Sequence, residues 1–267
     1  MKYIDLNCDL GESFGAYNIG QDEKVLPFIS SANIACGYHA GDPVVMSKAV
    51  ELAVKNNVKI GAHPGFPDLV GFGRRNMQVS FEEAKAYVKY QIGALNAFCI
   101  AKGVKLHHVK PHGALYNMAA KDEILAEAIC EGILEVDSNL VLLALSGSKM
   151  CEVAENLGLK YASEVFADRA YMADGSLCPR SHPDSMITDE DVAISRVIRM
   201  VKEGVVATVD GNDIPIQAES VCVHGDGEKA LAFVQKINKA LIDADIQIVD
   251  LKKVINKRVL ESIERKQ

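Results

Sequence analysis

Seven short runs of β-branched and apolar residues alternate along this chain with longer segments of helical period, and that repeated strand-then-helix order restricts the fold more than any other feature. Such an order builds a parallel sheet whose faces are covered by the helices. Strands are expected at residues 3–9, 32–36, 58–62, 106–110, 140–145, 162–166 and 220–224, and helices at 22–29, 43–56, 81–102, 122–135, 148–157 and 189–203. Two helix starts carry their own punctuation. Ser80 followed by Glu83 has capping-box spacing, and Asp42 stands ahead of Pro43, a proline suited to a first helical turn. Residues 205–217 read as a hairpin, with Val206, Thr208 and Val209 facing Ile214 and Ile216, and residues 171–188, with Gly175, Pro179 and Pro183, read as an irregular excursion. No linker, repeat or low-complexity stretch divides the chain, so residues 1–267 are expected to form one domain. Seven strands without a dinucleotide glycine fingerprint favour a closed or nearly closed barrel over an open sheet.

Charge narrows the partners. With 29 Lys and Arg against 36 Asp and Glu the net charge is −7, which argues against nucleic acid. The one basic run, residues 252–267, is expected to be a solvated terminal helix. The seven cysteines, Cys8, Cys36, Cys99, Cys130, Cys151, Cys178 and Cys222, form no C-x-x-C pair, which suits reduced thiols. No stretch approaches the roughly 18 apolar residues of a membrane span, and the start of the chain has no signal-peptide pattern. A cytoplasmic protein without a membrane partner is the expectation.

Polar and ionisable residues gather at the C-terminal ends of the expected strands, which is where β/α barrels build their sites. Alternation in the first strand puts Asp5, Asn7 and Asp9 on one face and Ile4, Leu6 and Cys8 on the other, so the polar set should point into the barrel. Buried polar groups are costly unless bonded, which favours a functional role. His39, His63, His112 and His224 fall at four matching strand ends, accompanied by Lys110, Glu164 and Asp168. His107, on the other strand face, and His182, in the excursion, are expected to be ordinary. Asp9, His39 and His63 could together hold a divalent metal across strands, since no H-x-x-x-H or H-E-x-x-H is present. The same groups could equally bind substrate without one. Gly71, Gly73, Arg74 and Arg75 lie in a glycine-rich loop, expected to be mobile, whose guanidiniums suit carboxylate or phosphate. Walker, dinucleotide and G-x-S-x-G patterns are missing.

Six blocks carry a resemblance: DLNCDLGESFG from Asp5, ANIACGYHAGDP from Ala32, GAHPGFPD from Gly61 with GFGRR from Gly71, VKPHGALYN from Val109, EVFADRAY from Glu164 and VHGD from Val223. Together they resemble the 5-oxoprolinase A-subunit family, also called LamB/YcsF. The resemblance implies an irregular seven-stranded β/α barrel, similar to polysaccharide deacetylases. The implied activity is ATP-dependent opening of 5-oxo-L-proline to L-glutamate, carried out with partner subunits B and C. ATP could then be bound by the partners, which would fit the missing nucleotide motif. That reaction asks for a base, a group that holds negative charge, and contacts to the substrate. Asp9 is the expected base, Lys110 the charge stabiliser and Glu12 a second carboxylate. Asn7, His39, His63, Arg74, His112, Glu164, Asp168 and His224 are expected around the substrate, with Arg74 facing its carboxylate. Two alternatives stay open at this point: a metal-dependent deacetylase or amidase needing no ATP, and a non-catalytic regulatory subunit.

Overall fold

The computed structural model describes residues 1–223 and 230–264. The elements in chain order are β1 (Lys2–Leu10), α1 (Asp22–Val25), β2 (Ser31–Ala35), α2 (Pro43–Lys55), β3 (Lys59–His63), α3 (Phe81–Ala101), β4 (His108–Val109), α4 (Gly113–Ala119), α5 (Glu123–Val136), β5 (Val141–Leu145), α6 (Lys149–Leu157), β6 (Tyr161–Phe166), α7 (Glu190–Glu203), β7 (Val205–Ala207), β8 (Asp213–Pro215), β9 (Ser220–Val223), α8 (Ala230–Asp243), β10 (Ile246–Ile248) and α9 (Leu251–Glu264). Strands β1 to β6 pair in sequence, β6 pairs with β9, and β9 returns to β1, so seven parallel strands close a barrel. An eighth strand, β10, pairs in parallel with Lys2 to Ile4 at the start of β1. The expected hairpin forms as β7 against β8, in register Val206 with Ile214.

Local chemistry explains the sharpest boundaries. Asp42 accepts the backbone N–H groups of Val44 and Val45 ahead of Pro43, and Ser80 with Glu83 makes both halves of a capping box on α3. Strand β4 is regular over only two residues because Pro111 has no N–H to continue a ladder. Hydrogen bonds to β3 and the residue after it nonetheless run from His107 through Lys110 to His112, and the side chains of His108, Lys110 and His112 all bond to groups of the barrel interior. Helix α4 follows at once from Gly113, whose φ of 52° turns the backbone where a Cβ would meet the Gly73 carbonyl oxygen at 2.7 Å. Neither α4, α8 nor β10 was anticipated from the sequence pattern.

The terminal helix differs from expectation. Leu251, Val254 and Ile255 of α9 are buried, and Leu251 and Ile255 join Val141, Leu143 and Ala162 in an apolar cluster that plugs the barrel at the N-terminal ends of its strands. A stripe at three- and four-residue spacing inside a basic sequence is enough to seat the helix. All seven cysteines are buried and unpaired. Among the described residues no helix is long and apolar enough to cross a membrane.

Candidate active site

The barrel interior is polar along β1, β2, β6 and β9, and its layers rise toward the site. Deepest lies Asp5, fully buried, accepting hydroxyl bonds from Ser30 at 2.7 Å, Ser31 at 2.6 Å and Ser220. Burial pushes its carboxyl up to about 6, against the opposing pull of those three hydroxyls. In the next layer Asn7 donates to Ser220 at 2.7 Å and to Glu164 at 3.0 Å, while Asn33 donates to Asn7 at 2.7 Å and Asp9 at 2.8 Å. His108 closes this layer, its Nε2 at 2.8 Å from the Asn33 side-chain oxygen. Gly61 makes room for that ring, since a Cβ there would lie 2.1 Å from His108 Nε2.

Above these layers sits Lys110, buried and surrounded by acceptors. Its Nζ is 2.8 Å from Asp9, 2.9 Å from Glu164 and 3.1 Å from the Cys222 sulfur, and lies 5.4 Å from the centroid of the Phe166 ring. Burial works against the ammonium charge, but Asp9, Cys222 and Glu164 outweigh it and hold the lysine well above its ordinary range. The other Glu164 oxygen accepts the Tyr116 hydroxyl at 2.6 Å. Glu164 is therefore committed to positioning Lys110.

Three imidazoles and a carboxylate form the rim. His63 Nδ1 donates to the Lys110 carbonyl oxygen at 2.7 Å, and His112 Nε2 donates to the Phe72 carbonyl oxygen at 2.9 Å. These backbone acceptors require a proton on each of those nitrogens. The remaining nitrogens, His63 Nε2 and His112 Nδ1, then face one another at 2.9 Å. In two neutral rings both would present lone pairs, an arrangement that calls for a shared proton or a metal ion between them. His39 stacks on His112 with ring centroids 3.7 Å apart, and neither of its ring nitrogens has a hydrogen-bond partner although the residue is fully buried. Burial, followed by neighbouring imidazoles, holds both His39 and His112 well below their ordinary range. Glu12 Oε1 lies 3.6 Å from His39 Nε2 and 3.7 Å from His112 Nδ1, and ligand atoms of Glu12, His39, His63 and His112 all fall within 4.8 Å of one another. A donor set of three imidazoles and one carboxylate suits zinc or a neighbouring divalent transition ion, and imidazoles steered by backbone carbonyls are usual for such ligands. This grouping departs from the expected trio: Glu12 and His112 join His39 and His63, whereas Asp9 Oδ1 receives Lys110 and Asn33 and its Oδ2 is 3.4 Å from His63.

These groups open into a cavity of about 520 Å³. Asp9, Glu12, His63, Lys110 and His112 line it, together with Arg74, which is exposed with its guanidinium 5.0 Å from the Phe72 ring centroid. The adjacent Arg75 has a different task, forking onto Asp68, whose carboxyl it holds down to about 2. The glycine loop packs closely on the imidazoles, for a Cβ at Gly73 would meet His39 at 2.7 Å and His112 at 2.9 Å. His39 lies behind His112, and Asn7 and Glu164 lie beneath the cavity without touching it. Asp168 is not among its lining groups, and His224 lies outside the described residues. Sequence reading missed Asn33, His108, Tyr116 and Cys222. Period-two counting would have placed Asn33 with the inward residues of β2 and Cys222 two residues before His224, whereas Tyr116 comes from a helix that the pattern did not reveal.

Fold and site define the class: a seven-stranded parallel β/α barrel with an ionisable pocket at the C-terminal ends of its strands. The sequence profile of the LamB/YcsF family matches residues 4–256, and this chain belongs to that family. It is 64% identical to the 5-oxoprolinase A subunit of Clostridium beijerinckii over 95% of this chain and 100% of that protein. It is 56% identical to the Bacillus subtilis protein of the same name over 93% of this chain and 96% of that protein. The crystal structure of the lactam utilization protein from Thermus thermophilus superposes with a TM-score of 0.88 at 47% identity, covering 93% of this chain and 99% of that one. The peptidoglycan deacetylase PdaC of Bacillus subtilis shares the fold at a TM-score of 0.50 and 13% identity, covering 99% of this chain and 96% of its own.

Proposed function

We propose that this chain is the A subunit of an ATP-dependent 5-oxoprolinase and opens the lactam of 5-oxo-L-proline to L-glutamate together with partner subunits B and C. The observation that carries the reading is Lys110, clamped between Asp9 and Glu164 beside an imidazole cluster in a cavity of small-molecule size. The names borne by its relatives point to the same substrate. A lactam carbonyl is a weak electrophile. Phosphorylation of its oxygen, with ATP as donor, makes that oxygen a leaving group, and the partner subunits could supply the nucleotide site.

One water then adds to the ring carbonyl carbon and the ring C–N bond breaks as the nitrogen takes a proton, which leaves an acyl phosphate; a second water hydrolyses it to the free carboxylate and phosphate. Asp9 accepts the proton of the attacking water, its carboxylate held in place by Lys110 and Asn33. Lys110 holds the negative charge that develops on oxygen, fixed in place by Glu164 so that it need not reorganise. Glu12 and the His63–His112 pair border the same space and can pass the proton on to the departing nitrogen. Glu12, His39, His63 and His112 would hold a divalent metal, and such an ion supplies Lewis-acid polarisation of the carbonyl when bound.

The imidazole and carboxylate cluster also favours a second reading, a metal-dependent amidase that needs no ATP. Glutamate release from 5-oxo-L-proline, measured for the chain alone, with ATP, and with ATP plus subunits B and C, separates the two. Release only in the complete mixture is expected. ATP-independent release by the chain alone would establish the amidase, and no release in any mixture would sink both readings.

A further inference from the structure

One wall of the cavity is built by the segment between β6 and α7, and its charge is opposite to that of the carboxylates at the strand ends. Arg169, Cys178 and Arg180 come from this segment, and Lys121 lines the same space. Arg169 is only 6% exposed. One guanidinium nitrogen donates to the Cys178 carbonyl oxygen at 2.6 Å, yet its Nε is buried without a hydrogen-bond partner. A buried guanidinium left with an unmade bond is costly, and a nearby second cation adds to the cost. Burial first, and the charge of Arg180 second, lower the pKa of Arg169, and Asp168 does not offset them. An anion brought into the cavity would relieve both penalties.

We infer that Arg169, flanked by Arg180, binds the carboxylate of the substrate and thereby turns the scissile amide toward Lys110. This rests on the reading of the substrate as a small lactam acid. The reverse orientation would bring the substrate carboxylate against Asp9 and Glu12, which like-charge repulsion disfavours. Arg74, exposed at the mouth, has less to gain from the same contact, because a charge pair in high dielectric is weak.

Arg169→Gln and Arg169→Lys are tested in the complete assembly with ATP, and each chain is titrated calorimetrically with 5-oxo-L-proline, with 2-pyrrolidinone (which lacks the carboxylate), with glutarate and with inorganic phosphate. Arg169→Gln is expected to raise KM for 5-oxo-L-proline by on the order of 10²-fold with kcat within a few-fold, and Arg169→Lys by less, since a lysine keeps the charge and loses the fork. Affinity for 2-pyrrolidinone should match that of the wild type. An unchanged KM would overturn the inference while leaving the lactamase reading intact. Equal losses for 5-oxo-L-proline and 2-pyrrolidinone would also overturn it, by assigning Arg169 to holding the Cys178 segment. So would Arg169-dependent binding of phosphate tighter than that of 5-oxo-L-proline. Arg169-dependent binding of glutarate in a wild-type chain that binds no 5-oxo-L-proline would keep the carboxylate site and discard the substrate assignment.

Discussion

Strands β1 and β5 stand in one barrel and obey one alternation, yet β1 sends Asp5, Asn7 and Asp9 inward where β5 sends Val141 and Leu143. Their outward residues are alike, Ile4, Leu6 and Cys8 in one and Leu142 and Ala144 in the other, all packed against helices. The two inner walls are therefore held by different physics. On the β5 side, burial of apolar surface against α9 suffices, worth roughly 25 cal/mol per Å² removed from water. On the β1 side every polar group needs a partner, and the chain of bonds from Asp5 through Asn7 and Asn33 ends at Lys110 and Asp9, where substrate can reach. The polar wall serves as the support of the site, and the apolar wall as the floor of the fold.

Lys110→Met should blur that division most. It leaves Asp9 and Glu164 facing each other without their cation, and breaking a buried ion pair from one side commonly costs about 3–5 kcal/mol. Turnover should fall at least ~10³-fold in the same protein. Denaturant midpoints and kcat, measured together, decide, and a variant that loses neither would remove Lys110 from the site.

Asp9→Asn should separate the two properties on the polar wall itself. The amide can keep the bonds to neighbours but cannot accept a proton, so kcat should drop about 10²- to 10⁴-fold, with a smaller loss of stability than in Lys110→Met because Lys110 keeps Glu164 as its counter-charge. Activity that falls only in step with stability would make Asp9 structural, and retained turnover would pass the base to Glu12.

Leu143→Ala probes the other wall. A fully buried leucine cut back to alanine typically costs about 2–5 kcal/mol, and kcat at a temperature where the variant is folded should stay within twofold of wild type. A large loss of kcat would show that the plug reaches the site.

The smallest effect concerns pH. Asp5 has a folded-state value of about 6 against an ordinary 3.8, so the folded protein binds more protons than the unfolded chain between those values. The stability it contributes is fully present below about pH 4 and lost as pH rises through about 6, with an upper bound of about 3 kcal/mol. Asp5→Asn should flatten that part of the stability curve, which urea unfolding at a series of pH values would reveal. An unaltered slope would mean that the three serine hydroxyls keep the carboxylate charged.

Much of the fold was legible because its signal is local. Alternation in β1, the Ser80–Glu83 box and the Asp42–Pro43 cap each act within a few residues, and each is found where the sequence places it. The strand-end position of Asp9, His63, Lys110 and His112 followed from the same alternation. Helix α4 was not legible, because Pro111, His112 and Gly113 read as a loop and its helical course is set by the turn that Gly113 makes against Gly73. The seating of α9 was also hidden, since a basic composition masked a short apolar stripe whose partners lie more than a hundred residues earlier in β5.

By itself, then, the sequence determined which side chains face inward, because a strand has a period of two and needs no distant information to express it. Only the closed barrel decided what those side chains do. Closure between β9 and β1 puts Cys222 and Ser220 against Lys110 and Asn7, and the bonding of the segment after β4 along the end of β3 sets His63 against His112 at 2.9 Å. The partners of Lys110 come from β1, β6 and β9, segments separated by as many as 157 and 213 residues where they bond through Asn7. Whether a buried carboxylate becomes a base, a clamp or a metal ligand depends on distances of a few ångströms across the barrel, which local pattern does not encode.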